Sequence, residues 1–328
     1  MKNRIFGTTG RKVSDIGFGA WAIGGSWGEV SEENARAALH AALEEGTTFI
    51  DTADVYGDGR SERIIADVLK DRGGTKPFIA TKAGRRLTPH VADGYNKANL
   101  TTFVDRSLKN LQTDCLDLVQ LHCPPTDVYY RPQVFEALEG LIAAGKIRNY
   151  GVSVEKVEEA LKAIEYPGVV SVQIIYNIFR QRPAELFLQQ AKARNIAVIA
   201  RVPLASGLLT GKMNKQTQFA ADDHRAFNRN GEAFDKGETF SGVPYDVALE
   251  AVEQIHPLVA PGFTMAQLAL AWILSNDAIT TVIPGAKNAM QASANVGADK
   301  YPPLSEITLK QLATIYDEKI RSHVHDLW

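Results

Sequence analysis

Residues 49–57 read FIDTADVYG, and this stretch shows how the chain is built. A short apolar run ends at a carboxylate, Asp51, and a segment containing Tyr56 follows before the next amphipathic stretch. An apolar run without polar alternation is typical of a strand that is buried on both faces. The same order recurs along the chain, which indicates a parallel sheet covered by helices.

We count eight such strand-then-helix units. The predicted strands are Ile16–Gly19, Thr48–Asp51, Phe78–Lys82, Leu116–His122, Asn149–Val152, Val169–Ile175, Ile196–Val202 and Thr280–Ile283. The predicted helices are Ser31–Glu45, Ser61–Leu69, Asn99–Leu111, Gln133–Ala144, Val157–Ile164, Pro183–Ala193 and Asn288–Val296. The strand Ile196–Val202 is followed by a longer insertion, so no helix is assigned directly after it. Eight units favour an α/β fold of the (β/α)8 TIM-barrel type, with a doubly wound open sheet as the alternative.

Three further segments complete the predicted architecture. Residues 1–15 alternate around two glycines and predict an N-terminal hairpin at the barrel floor. Ile307–Ser322 predicts an extra C-terminal helix. Met213–Gly242 is polar and without period; we interpret it as a functional loop, and a solvated insertion is the alternative. No linker interrupts the chain, so we expect residues 1–328 to form a single domain.

The composition excludes several classes of protein. With 45% hydrophobic and 23% charged residues, the 328-residue chain can bury a large core, unlike a disordered or disulfide-rich chain. A net charge of −2 gives no electrostatic footprint for nucleic acid or an anionic membrane. The two cysteines cannot form a disulfide framework or a four-thiolate zinc site, and no apolar run is long enough to span a membrane. We therefore expect a cytoplasmic protein, and the sequence leaves its oligomeric state open.

Four polar residues are predicted to meet at one rim of the barrel. Asp51, Lys82 and His122 end the second, third and fourth predicted strands, and Tyr56 follows five residues after Asp51. Chemistry in a barrel lies at the carboxyl ends of its strands. An ammonium beside a phenol favours phenolate, and a carboxylate compensates the buried ammonium. This set suits proton delivery to an alkoxide that forms as hydride arrives. Any one of these residues could have a structural role. The prediction depends on all four lying at the same rim of the barrel.

The chain resembles aldo-keto reductases from residue 4 to about residue 297, and within them the bacterial inositol-catabolism-type reductases. The matching stretches are Gly17–Trp21, Phe49–Gly57, Ser61–Glu62, Ala80–Lys82, Leu116–His122, Gly145–Arg148, Gly151–Ser153, Gln173–Asn177, Pro203–Lys212 and Ile283–Lys287. The resemblance implies a TIM barrel that binds NAD(P)(H) without a Rossmann fold. It also implies that Asp51, Tyr56, Lys82 and His122 form a catalytic tetrad with Tyr56 as the general acid.

The resemblance further implies a coenzyme groove and a substrate pocket. The implied coenzyme residues are Gly19, Ala20, Trp21, Asp51, Ser153, Gln173, Arg201, Val202, Pro203, Leu204, Ser206, Gly207, Lys212, Arg225, Gly285, Lys287, Gln291 and Asn295. Ser153 and Gln173 would bind the carboxamide, Ser206 and Lys212 the pyrophosphate, and Lys287 a 2′-phosphate, which favours NADP(H) over NAD(H). The implied substrate pocket contains Trp21, Trp27, Tyr56 and His122.

Two positions depart from the family pattern. Val154 follows Ser153 where the family usually has an asparagine, so one amide partner of the coenzyme is missing. Arg201 stands where an aromatic residue commonly stacks on nicotinamide; its planar guanidinium can stack, or pair with an anion. A clamp by Arg225 and Arg229 from the insertion is a further expectation.

The function predicted from these patterns is NADP(H)-dependent reduction of an aldehyde or ketone, or the reverse. The alternative is a cofactor-binding regulatory protein resembling potassium-channel β subunits, which share this barrel. A metal-dependent hydrolase is disfavoured, because His323 and His325 are the only metal-like histidine pair and they lie at the chain end. The expected partner is a small carbonyl or alcohol substrate, whose identity the sequence does not give.

Overall fold

Eight parallel strands follow one another in chain order around a single sheet. The computed structural model describes residues 1–25 and 27–328. The strands in these residues are β1 Asn3–Ile5, β2 Lys12–Ser14, β3 Phe18–Gly19, β4 Phe49–Asp51, β5 Phe78–Ala83, β6 Leu118–His122, β7 Tyr150–Ser153, β8 Val169–Ile175, β9 Ala197–Arg201 and β10 Thr281–Val282.

The sheet closes on itself. Strands β3 to β10 pair in order, and parallel bridges join Ile16 to Val282 and Gly19 to Gly285. Two backbone bonds reinforce this seam, from Gly17 N to Val282 O at 2.8 Å and from Val282 N to Asp15 O at 2.9 Å. The predicted (β/α)8 barrel is confirmed, and a closed ring of parallel strands excludes the open doubly wound sheet.

The helices cover the outside of the barrel. Their bounds are α1 Trp21–Gly24, α2 Glu32–Glu44, α3 Arg60–Arg72, α4 Lys97–Asn110, α5 Pro132–Ala143, α6 Val157–Ala163, α7 Phe187–Ala193, α8 His224–Phe227, α9 Tyr245–Ile255, α10 Met265–Leu274, α11 Ala289–Val296, α12 Glu306–Ile315 and α13 Arg321–Val324. Ser31 caps α2 as predicted, since its side chain accepts a hydrogen bond from Asn34 N. The extra C-terminal helix is α12. No helix among the described residues is long and apolar enough to cross a membrane.

The N-terminal hairpin closes the floor of the barrel. Strands β1 and β2 pair antiparallel, and Phe6 between them is fully buried. Its ring centroid lies 5.4 Å from that of Phe49 and 4.9 Å from that of Phe78. These rings belong to an apolar cluster that includes Leu118 and Ile199 and fills the lower part of the barrel. The lower part of the barrel is therefore filled mainly by apolar side chains.

The insertion Met213–Gly242 crosses the mouth of the barrel. It contains α8 and short 3-10 turns at Lys236–Glu238 and Phe240–Gly242, and a bridge joins Asp223 to Trp27 on the opposite side. The C-terminal Trp328 packs beside its end, with the Arg180 guanidinium 4.3 Å from the ring centroid. The insertion is thus packed on the barrel rather than standing free in solvent.

Candidate active site

The four residues predicted to react do meet at the carboxyl ends of neighbouring strands. Asp51 ends β4, Lys82 lies in β5, His122 ends β6, and Tyr56 lies in the segment between β4 and α3. Lys82 Nζ donates to Asp51 Oδ2 at 2.6 Å and to Thr52 O at 2.9 Å, and it lies 3.3 Å from Tyr56 Oη. Lys82 is 1% exposed, so this ammonium is held entirely by protein groups.

Tyr56 lies between Lys82 and His122. The Tyr56 and His122 ring centroids are 5.8 Å apart, with the ring planes nearly perpendicular. His122 is buried, and its Nδ1 has no hydrogen-bond partner among the described residues. The Tyr56 hydroxyl therefore contacts a cation, and the Tyr56 ring has an imidazole beside it.

Burial and neighbouring charges together set the protonation states of these groups. It raises the pKa of Tyr56 above that of a free phenol, although Lys82 pulls the value down. Burial alone would lower the pKa of Lys82, but Asp51 and then Tyr56 outweigh it, so the pKa is raised. Burial, followed by the charges of Arg85 and Lys82, holds the pKa of His122 well below its usual range. At neutral pH the site contains a phenol, an ammonium and a neutral imidazole.

Two glutamines lie beneath this group and bind the second oxygen of Asp51. Gln173 Nε2 donates to Asp51 Oδ1 at 2.7 Å, and Gln120 Nε2 donates to the same oxygen at 3.3 Å. Gln173 Nε2 also donates to Gln120 Oε1 at 3.3 Å. Gln173 is a predicted site residue, whereas Gln120 is not, although Gln120 lies only two residues before His122 on the same strand.

A cavity of about 430 Å³ opens above these residues. All residues of the predicted coenzyme and substrate sets line it except Ala20. Ala20 is fully buried, and its backbone is bonded to Asp51 O and to the Ser61 hydroxyl, so it does not line the cavity. Lining residues that were not predicted include Cys123, Met213, Glu238 and Thr264.

The segment after β9 supplies the cavity wall where a pyrophosphate was expected. Val202, Ala205, Ser206 and Gly207 all have positive φ, and such turns can form concave backbone sites for anions. The Ser206 hydroxyl, however, donates to Glu238 O at 3.1 Å and accepts from Phe240 N at 3.0 Å. It fixes the insertion, so its predicted role as a pyrophosphate donor is not available in this arrangement.

Cationic side chains mark the far end of the cavity. Lys287 Nζ donates to Trp27 O, and the Arg225 guanidinium lies 5.0 Å from the Trp27 ring centroid. Arg225 is held by both oxygens of Asp223, at 2.9 and 2.6 Å. Burial, followed by the charge of Arg225, lowers the pKa of Lys287, and the negative charge of a bound phosphate would raise it again. Arg229 does not line the cavity; it packs 5.1 Å from the Tyr245 ring centroid.

Two arginines and two glutamates form a group of paired charges at the rim of the cavity. We call it the rim cluster; its members are Arg85, Arg201, Glu155 and Glu238. Arg201 Nη2 donates to Glu155 Oε2 at 2.7 Å and to Val154 O at 2.9 Å. Arg85 pairs with Glu155 at 3.0 Å and also with Glu238 of the insertion. Arg85 and Glu155 each lie two residues beyond a strand end, which is a signal the sequence analysis could have used; Glu238 gives no such signal.

The rim cluster does not resemble a metal site. Oxygen and sulfur atoms of Glu155, Glu238 and Cys123 lie within 4.8 Å of one another. The guanidinium groups of Arg85 and Arg201 already occupy the two carboxylates, so a cation would meet like charge there. The terminal His325 is also engaged, by Tyr316 Oη at 2.8 Å and by Arg321 at 2.9 Å.

Aromatic rings form the remaining wall beside Tyr56. The Trp21 ring centroid lies 5.4 Å from that of Trp27, 6.1 Å from that of Tyr56 and 6.0 Å from that of Phe234. Phe234 belongs to the insertion and was not predicted. The space beside the phenol is therefore largely apolar.

Comparison with known proteins places this geometry in a family. Residues 15–317 match the Aldo/keto reductase family, so the chain belongs to that family. It is 31% identical to the aldo-keto reductase yakc of Schizosaccharomyces pombe, whose name specifies NADP(+), over 93% of this chain and 89% of that protein. It is 29% identical to a "Probable voltage-gated potassium channel subunit beta" of Arabidopsis thaliana, over 97% of this chain and 98% of that one. The solved glycerol dehydrogenase AKR11B4 from Gluconobacter oxydans superposes with a TM-score of 0.77 and 30% identity, covering 98% of this chain and 95% of that chain.

Proposed function

We propose that this protein is an NADP(H)-dependent oxidoreductase that reduces aldehydes or ketones to alcohols, or catalyses the reverse reaction. The observation that carries the proposal is the position of Lys82 Nζ, 2.6 Å from Asp51 Oδ2 and 3.3 Å from Tyr56 Oη, beside the 430 Å³ cavity. Family membership supports the reaction class, and the NADP(+) in the name of the yeast relative supports the coenzyme.

The residues of the cavity fit an NADP(H) molecule. Gln173 and Ser153 line the end nearest Tyr56, and Lys287 and Arg225 offer cations at the other end for phosphate groups. The positive-φ turns from Val202 to Gly207 line the middle. When bound, the reduced coenzyme supplies the hydride.

Tyr56 acts as the general acid in this proposal. A phenol is protonated at neutral pH, and burial raises the pKa of Tyr56 further, so a proton is present for the carbonyl oxygen of the substrate. The Lys82 ammonium, 3.3 Å away, stabilises the phenolate that remains after transfer. Asp51 keeps Lys82 charged and in place.

His122 orients the substrate and does not exchange its proton. Its pKa is held well below the usual range, so it is neutral at pH 7. A neutral imidazole can hydrogen-bond a carbonyl oxygen beside Tyr56, but it has no surplus proton to give. If His122 had only a structural role, replacing its imidazole would leave the substrate KM unchanged.

The test measures NADPH oxidation by absorbance with a panel of aldehydes, ketones and sugars, using wild type and Tyr56→Phe. We expect wild type to turn over at least one carbonyl. We expect Y56F to bind NADPH with unchanged Kd and to lose turnover by about 10²–10⁴-fold, the range typical of a general acid. Equal turnover by Y56F would contradict the role of Tyr56.

A second function, regulation through coenzyme binding without turnover, is favoured by the likeness to the Arabidopsis channel subunit. It predicts NADPH binding by wild type with no turnover of any carbonyl in the panel. The same experiment therefore separates the two functions.

A further inference from the structure

Gln120 joins the reacting group to the predicted coenzyme residue Gln173. It lies in the middle of β6, two residues before His122, and it is fully buried. Its Nε2 donates to Asp51 Oδ1 at 3.3 Å, and its Oε1 accepts from Gln173 Nε2 at 3.3 Å. Gln120 is therefore the third corner of a hydrogen-bonded triangle with Asp51 and Gln173.

The triangle fixes which way the Gln173 amide faces. Asp51 Oδ2 is taken by Lys82, and Asp51 Oδ1 is a carboxylate oxygen that can only accept. Each glutamine must therefore present its NH2 group to Oδ1. Gln120 Oε1 gives Gln173 Nε2 a second acceptor, so both protons of that nitrogen are used.

The consequence is that Gln173 has only its Oε1 to offer the cavity that it lines. A carbonyl oxygen there accepts from the NH2 of a primary carboxamide and repels a carbonyl. Val154, the residue next to Ser153, has an apolar side chain, and its backbone oxygen is bound to Arg201. An asparagine at position 154 could share in binding the carboxamide, but valine cannot. The Gln173 oxygen therefore contributes a larger part of carboxamide binding in this protein.

We propose that Gln120 is a positioning residue that holds the Gln173 oxygen toward the coenzyme and so couples Asp51 to the nicotinamide carboxamide. This inference rests on the proposed function, because it requires a nicotinamide coenzyme in the cavity. Gln120 itself touches neither substrate nor coenzyme in this scheme. It acts through Gln173.

The test compares binding of NADP+ with binding of its 3-acetylpyridine analogue, in which a methyl group replaces the carboxamide NH2. The readout is the binary Kd, from quenching of protein fluorescence, since Trp21 and Trp27 line the cavity. We expect wild type to bind NADP+ about 10-fold more tightly than the analogue, the effect of one well-made hydrogen bond.

Gln120→Met keeps an unbranched side chain of similar length and removes both the donor and the acceptor. We expect Q120M to weaken NADP+ binding by about 10-fold and to leave the analogue's Kd unchanged, so that the preference disappears. Ser171→Ala is the matched control. Ser171 is buried in the same barrel, and its hydroxyl has no hydrogen-bond partner among the described residues, so both Kd values should stay at wild-type levels.

Equal weakening of both dinucleotides by Q120M would indicate a merely structural role and overturn the inference, as would no change in either. If Q120M does not fold, the wild-type comparison decides alone: equal Kd values for NADP+ and the analogue would overturn it. Failure of wild type to bind any nicotinamide dinucleotide would instead refute the proposed function. The two failures are therefore distinguishable.

Discussion

Two groups of buried charges lie at the mouth of this barrel, and they are assembled in different ways. The Asp51–Lys82 pair comes from adjacent strands β4 and β5, with both side chains at most 4% exposed. The rim cluster takes Arg85, Glu155 and Arg201 from strand ends or the loops just beyond them, and Glu238 from the insertion. The first pair is fixed by the sheet itself. The second is complete only while the insertion lies on the barrel.

The two groups of charges differ in how freely their members can move apart. A charge pair between neighbouring strands can move little, because the backbone hydrogen bonds of the sheet hold its register. A charge pair between a strand end and a loop can break when the loop opens. We expect changes in the Asp51–Lys82 pair to act on the reaction step and changes in the rim cluster to act on how firmly the insertion is held to the barrel.

The largest expected effect is on the pair between the strands. Lys82→Met leaves the Asp51 carboxylate buried without a cation, which typically lowers the free energy of unfolding by about 3–5 kcal/mol. We expect turnover to fall by about 10²–10⁴-fold in the same variant. Urea unfolding and single-turnover rates measure the two effects.

Lys146→Met is the control, because Lys146 pairs with Asp105 at the surface, where the side chains are 32% and 49% exposed. This change should alter stability by less than about 1 kcal/mol. If both variants lost the same stability, burial would not be what distinguishes the two pairs.

The next effect is on the rim cluster. Glu238→Gln removes the carboxylate that the insertion contributes and leaves Arg85 and Arg201 facing only Glu155. We expect NADPH to dissociate about 10-fold faster, since about 1.4 kcal/mol of closure energy is lost, while the rate of hydride transfer stays unchanged. Stopped-flow fluorescence measures both rates.

Glu232→Gln is the matched control for this change, because Glu232 is exposed on the same insertion and contacts Asn230 instead of the rim cluster. Its release rate should equal that of wild type. An unchanged release rate in E238Q would show that the rim cluster does not hold the insertion closed.

The third effect concerns a carboxyl that neither charge group compensates. Asp54 is fully buried, and neither of its carboxyl oxygens has a hydrogen-bond partner in residues 1–25 and 27–328. Burial, followed by the charge of Glu62, raises the pKa of Asp54 to about 7. An acid with a raised pKa in the folded state holds its proton more tightly there, so stability falls as pH rises from about 4 to about 7.

Asp54→Asn removes this titration. We expect its stability relative to wild type to increase by about 2–3 kcal/mol between pH 5 and pH 8, measured by urea unfolding at both values. Asp127→Asn, at an exposed position, should show no such pH dependence relative to wild type. A constant difference between D54N and wild type across this range would contradict an ionisation of Asp54 near neutral pH.

The strand pattern predicted much of the site because strand ends and chemistry coincide in a barrel. The apolar runs indicated six residues that do lie at or near strand ends and face the upper barrel. They are Asp51, Lys82, His122, Ser153, Gln173 and Arg201. Ala20 does not line the cavity, since its backbone N–H is bonded to Asp51 O and the residue is buried. The single domain over residues 1–328 and the reacting roles of the tetrad stay predictions.

Residues of the insertion escaped the sequence analysis for a physical reason. Met213–Gly242 has no hydrophobic period, so nothing local indicates which of its side chains turn inward. Glu238 reaches the cavity, and Phe234 reaches the Trp21 ring, only because the insertion folds across the mouth, with Ser206 bonded to Glu238 O and Phe240 N. The use of the Ser206 hydroxyl was likewise invisible until that fold was known.

The sequence by itself determined the barrel, the strand ends and the family, because these depend on repeated local patterns of apolar and polar residues. The tertiary structure decided which titratable groups are protonated, which amide oxygens face the cavity and which contacts hold the insertion on the barrel. Those properties depend on burial and on contacts between segments far apart in the chain, such as Arg85 and Glu238. No local pattern specifies such contacts, because they form only when the whole barrel has closed.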